Sequence, residues 1–113
     1  MIKIKNLHID KFDDNNPTHF KIDRTTEYGN PYKNISRSKS IKMYEKLLHS
    51  DKKLQKAVDK LVRVYKKYDE LSLFCWCYPD KDCHGRIIAE WIEKQVIMDK
   101  LYNNKCITFK EIL

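Results

Sequence analysis

Three of the chain's four cysteines and one of its four histidines fall within ten residues, in the order Cys75-x-Cys77-x5-Cys83-His84. Thiols and an imidazole ligate soft metals, attack electrophiles and move protons near neutral pH. Three chemistries compete for the cluster. The first is zinc ligation by Cys75, Cys77, Cys83 and His84, which are the right donor types. The spacing fits it poorly, because zinc knuckles bend a C-x2-C pair around the ion. Cys75 and Cys77, if both lie in one strand, point the same way with Trp76 opposite, and reach a metal only near the strand's end. The second is nucleophilic catalysis. Cys83 precedes a helix, whose dipole and free N–H groups lower a thiol's pKa, and His84 is a candidate general base or ion-pair partner. Adjacent side chains diverge within one turn, which counts against that pair. The third is ligand binding. A loop that enters a helix N-terminus is a natural anion site. Gly85 lets backbone approach a ligand, His84 adds a donor, Arg86 adds a charge, and Trp76 or Tyr78 offers a ring for stacking. The bland alternative makes the cysteines small core residues and His84 a helix cap.

The elements around the cluster follow from its flanks. Leu71–Cys77 (LSLFCWC) is apolar apart from Ser72, the pattern of a central strand covered on both faces. A helix starts at His84 or Gly85, carries Ile87, Ile88, Trp91, Ile92, Val96 and Leu101, and is expected to stop at Asn103-Asn104. The tail from Cys106 to Leu113 reads as a short strand or turn, with Thr108 and Glu111 spaced as a capping box.

The first half supplies a second polar group. Residues 2–9 and 19–24 alternate like strands, joined through a turn at Asp13–Pro17, as a long-looped hairpin or as neighbours in a mixed sheet. Tyr28-Gly29-Asn30-Pro31 is a stiff turn: Gly allows a positive φ, Asn tolerates one, and Pro fixes the next φ. Read as structure it is a loop. Read as function it is a backbone-lined contact flanked by Arg24 and Arg37. Ser36, Ser38 or Ser40 caps a helix carrying Ile41, Tyr44, Leu47 and Leu48. Asp51 caps a longer one with Leu54, Ala57, Val58, Leu61, Val62, Tyr65 and Tyr68 along its buried stripe.

The 113 residues make one α/β domain, 1–113, expected as a small three-layer fold with a short mixed sheet and three main helices. The chain has no apolar run long enough to span a membrane, and MIKIKNLHID lacks the apolar core of a signal peptide, so a cytoplasmic setting is expected. A net charge of +7 favours anionic partners, although lysine spread over every segment also serves plain solubility. Nucleic acid is disfavoured, since no nucleic-acid signature is present.

Arg24, Gly29-Asn30-Pro31, Ser36-Arg37 with Tyr44, Cys75-Trp76-Cys77, Pro79, Cys83-His84-Gly85 and Ala89-Glu90 occur together over residues 20–92. In this combination the chain resembles a family of small uncharacterised domains common in bacteriophages and also found in bacteria. The resemblance implies an α/β fold and a phage setting, and it brings no established activity. Phage proteins with polar pockets include sponges for nucleotide immune signals, so counter-defence is one expectation by analogy. Relatives usually carry Asp after Cys-His-Gly, where this chain has Arg86. If that Asp does chemistry, the change removes it or suits a more anionic ligand.

The expectation is therefore a protein that binds a phosphate-bearing, nucleotide-like small molecule through Arg24, Gly29, Asn30, Arg37, Trp76, Tyr78, Cys83, His84, Gly85 and Arg86. No cofactor is expected, with zinc on Cys75, Cys77, Cys83 and His84 as the open alternative. The rival class is an enzyme acting on a nucleotide-derived substrate through Cys83 and His84. A third is an interaction protein blocking a host factor through the basic helix at residues 51–68.

Overall fold

A computed structural model describes the backbone at residues 1–76 and 83–112, and side chains as far as Leu101. Three strands, β1 (Ile2–Asn6), β2 (His19–Lys21) and β3 (Leu71–Cys75), form one sheet in the order β1-β3-β2. Both pairings are parallel, so β1 and β2 are neither a hairpin nor neighbours: β3 lies between them. All five residues of β3 are buried, as its apolar run predicts.

Alternation along β3 assigns its two faces. Leu71, Leu73 and Cys75 join the main core with residues of all three helices, α1 (Arg37–Ser50), α2 (Lys52–Tyr68) and α3 (His84–Ile112). Phe74 faces the other way. Its ring meets Phe12 edge-on at 5.1 Å and His19 at 4.9 Å, with the Lys5 ammonium 5.8 Å from its centroid. The layer on that side is thus a loop, and Lys21 covers Phe12 in turn. Side-chain caps hold this loop: Asp13 Oδ1 accepts from Asn15 N, and Asn16 Oδ1 accepts from Thr18 N and Oγ1.

The helices begin where short polar side chains satisfy free N–H groups. Ser36 caps α1 by accepting from Lys39 N. Asp51 caps α2 by accepting from Lys53 N and Leu54 N. Leu54, Ala57, Val58, Leu61 and Val62 are buried on α2, Tyr65 is partly buried, and Tyr68 is exposed.

Three expectations are corrected. β3 is described as a strand to Cys75, with Trp76 already outside it and the expected end at Cys77 outside the described residues, and β2 ends at Lys21 instead of residue 24. Helix α3 continues through Asn103-Asn104 to Ile112, where a stop and then a strand or turn were expected. Asparagine inside a helix costs only about 0.7 kcal/mol relative to Ala. Neither Gly nor Pro occurs after Gly85 to enforce a break.

Candidate functional site

In a parallel sheet every strand ends at the same edge, and ligands collect there. A cavity of about 420 Å³ opens at this edge. Its wall is built from three segments: Asp23–Thr25 after β2, Asn30–Ile41 leading into α1, and Cys75, Trp76, Cys83 and His84 around β3 and α3. Six expected site residues line it: Arg24, Asn30, Arg37, Trp76, Cys83 and His84, and Cys75 from the zinc alternative joins them. Among the described residues, the cationic side chains on the wall are Arg24, Lys33 and Arg37, against one carboxylate, Asp23.

His84 organises the floor. Its Nε2 lies 2.6 Å from the carbonyl oxygen of Ile22. A carbonyl only accepts, so Nε2 carries the proton. Burial holds the imidazole below its usual value of 6.5, opposed by the backbone oxygens of Ile22 and Tyr28. The neutral ring then presents a bare Nδ1, 3.6 Å from Cys83 Sγ. Cys83 Sγ also lies 3.1 Å from Cys75 Sγ and accepts the Gly85 N–H at 3.4 Å, so it sits as the N-terminal cap of α3. The expectation that adjacent Cys and His side chains diverge does not hold, because the helix start turns both toward the cavity. Tyr44 packs edge-on against His84 at 5.0 Å, and its hydroxyl donates to Tyr28 O at 2.8 Å. Burial raises the phenols of both tyrosines, that of Tyr28 to about 12.

The Gly-Asn-Pro turn is held from inside. Asn30 Nδ2 donates to Ser40 Oγ at 2.9 Å, and its Oδ1 accepts from Tyr32 N at 3.0 Å. Ser40 Oγ donates to Tyr32 O at 3.0 Å. Arg24 Nε donates to Asn30 O at 3.0 Å and its NH2 to Tyr32 O at 3.4 Å. Asn30 therefore shapes the wall with its amide already engaged, and Arg24 both braces the loop and faces the cavity. Neither glycine has positive φ; among the described residues the left-handed ones are Asn34 and Asp69. Gly29 is needed for another reason: a Cβ there would lie 2.6 Å from Arg24 Cα and from Asp23 O.

Three expected ligand residues, Gly29, Gly85 and Arg86, are not on the wall. Gly85 sits behind it, where a Cβ would lie 2.8 Å from Ile22 Cδ1, so its small size permits α3 to approach the sheet. Arg86 is exposed and pairs with Glu90 at 3.2 Å along α3. Tyr78 and Cys77 lie outside the described residues. Among the described residues no group of three or more His, Cys, Asp or Glu is arranged to hold a metal ion.

Asp23, Tyr32 and Lys33 escaped the sequence reading. Asp23 Oδ2 accepts the Trp76 indole N–H at 2.9 Å, and His8 meets that half-exposed ring edge-on at 4.5 Å. Burial raises the Asp23 carboxyl, but hydrogen bonds from Thr25 and Trp76, with the Lys21 charge, bring it below its usual 3.8. The available signal was position: Asp23 precedes Arg24, and Tyr32 and Lys33 follow Pro31.

The chain belongs to the DUF4326 family, described as a domain of unknown function, whose profile matches residues 6–94. The match begins at the last residue of β1, takes in β2, β3 and the cavity-forming chain, and ends within α3. No curated protein and no solved structure matches the chain.

Proposed function

We propose that the domain binds a phosphate-bearing, nucleotide-like small molecule at the C-terminal edge of its sheet. The observation that carries this reading is one cavity of about 420 Å³ whose wall combines Arg24, Lys33 and Arg37 with the Trp76 and Tyr32 rings. That volume falls in the ordinary range for small-molecule sites. The guanidinium groups suit phosphate oxygens, which they engage in charge-assisted, often bidentate bonds. Helices α1 and α3 both begin at this wall, with Arg37 and His84 as their first residues, and helix N-termini favour anions. Trp76, fixed by Asp23, offers a ring face at the rim. In a phage, such a domain would act by sequestering a host nucleotide signal. Thermal-shift measurement against nucleoside phosphates, ADP-ribose and cyclic dinucleotides tests the proposal. Stabilisation by at least one of these, and none by the corresponding nucleosides, is expected. A panel without any stabilisation refutes it.

A second reading is favoured by one contact, Cys83 Sγ to His84 Nδ1 at 3.6 Å. The thiol, the imidazole and the orienting Ile22 carbonyl stand in the order of a nucleophile, a base and its positioner. This would make the domain an enzyme acting on a nucleotide-derived substrate. Covalent labelling of Cys83 by a nucleotide-linked electrophile, faster than labelling of the Cys83 thiol by iodoacetamide, is the outcome this reading requires.

A further inference from the structure

We propose that Cys75 and Cys83 are a redox-reactive dithiol in the cavity wall, which a peroxide converts into an intramolecular disulfide. The proposal stands apart from the identity of the ligand. It rests first on proximity: the two sulfurs are 3.1 Å apart, so a bond of about 2.05 Å needs about 1 Å of approach. The residues come from the end of β3 and the start of α3, and both line the cavity, which gives a small oxidant its route to otherwise buried sulfurs.

The surroundings distinguish the two partners. Cys83 caps α3, accepts the Gly85 N–H at 3.4 Å and lies 3.6 Å from the bare Nδ1 of His84. Backbone donors, a helix N-terminus and a neighbouring base are what activate a thiol. Cys83 is therefore the attacking sulfur and Cys75 the resolving one. In the first step the Cys83 thiol passes its proton to His84 Nδ1, and the thiolate attacks the peroxide O–O bond. This forms Cys83–S–OH and releases hydroxide, which recovers the proton from His84 as water. In the second step the Cys75 sulfur attacks the sulfenic sulfur. The S–O bond breaks, and the OH leaves as water with the Cys75 proton. Two thiols and one hydrogen peroxide give one disulfide and two waters. A reduced dithiol reverses the bond by thiol–disulfide exchange.

The bridge joins the two elements that supply Cys75, Trp76, Cys83 and His84 to the cavity, so the redox state of the pair sets the shape of that wall. The test is made on the full folded chain. It is treated with hydrogen peroxide near stoichiometry, alkylated and digested with trypsin. Cleavage after Lys67, Lys81 and Arg86 places Cys75 and Cys77 on one peptide and Cys83 on the next. The expected result is loss of two of the four thiols, peptides 68–81 and 82–86 held together, and full recovery with dithiothreitol. Fragment ions of the wild-type peptide pair should place the bond on Cys75. The Cys77→Ser variant should retain the bridge, and Cys75→Ser should lose it. Four free thiols under conditions that oxidise glutathione, or a bridge built on Cys77 or Cys106, overturn the proposal. Because the wild-type fragment map decides the pairing by itself, a variant that fails to fold does not shield the proposal.

Discussion

His84 Nε2 donates to the carbonyl oxygen of Ile22, 62 residues earlier, at 2.6 Å. This bond fastens the start of α3 to the end of β2, and so fixes two of the three segments around the cavity. It also fixes the tautomer that leaves Nδ1 facing Cys83.

A pH dependence follows from that bond. Burial depresses His84 in the folded state below its ordinary 6.5. The unfolded chain therefore binds more protons as pH falls below about 6.5, and stability declines with acidification at up to about 1.4 kcal/mol per pH unit for this group. The contribution is fully present above pH 6.5. Asp23 is also depressed, but its window lies below 3.8 and does not overlap. Urea midpoints between pH 7.5 and 5 should fall for wild type. A His84→Gln variant keeps a donor for Ile22 O and cannot titrate, so its midpoint should fall less over the same range.

The two glycines predict opposite tolerances. In Gly29→Ala the new Cβ meets backbone at 2.6 Å on two sides, which cannot yield cheaply. We expect a loss of about 2–3 kcal/mol. In Gly85→Ala the obstacle is the tip of Ile22 at 2.8 Å, which can rotate. Alanine also recovers up to ~1 kcal/mol of helix propensity, so the net change should stay within about 1 kcal/mol. Chemical denaturation of both variants checks the ordering.

Asn30→Ala should cost about 1–3 kcal/mol, because it strands buried partners at Ser40 and Tyr32. Lys60→Ala removes an exposed pair with Glu27 and should change stability by less than about 0.5 kcal/mol. The same denaturation series measures both, and equal losses would contradict the distinction between wall and surface.

These contrasts show what was legible in the chain. Period-two and period-3.6 patterns are local, so β3, α1 and α2 and the cap Asp51 could be read directly, and the cap of α1 could be narrowed to Ser36, Ser38 or Ser40. Convergence of Arg24 and Arg37 with Cys83 and His84 could be argued, because polar turns after parallel strands share one edge. Strand order could not: nothing local in IKIKN or HFK says that LSLFC inserts between them. The reason for Gly29 was hidden too, since a backbone-to-backbone contact with Asp23 and Arg24 leaves no mark in its own dipeptide. Arg86 was misplaced because residues two apart on a helix point about 200° apart, so Arg86 faces away from the cavity that His84 lines.

The central claim is tested most directly by isothermal titration of the best-stabilising nucleotide into wild type, Arg37→Ala and Arg86→Ala. Arg37 lines the cavity and Arg86 does not. A lost charge-assisted bond to phosphate is worth about 1.5–3 kcal/mol, so Arg37→Ala should weaken binding roughly tenfold or more. Arg86→Ala should bind within about twofold of wild type. Equal weakening by both variants, or binding that survives Arg37→Ala unchanged, would contradict a phosphate site in this cavity.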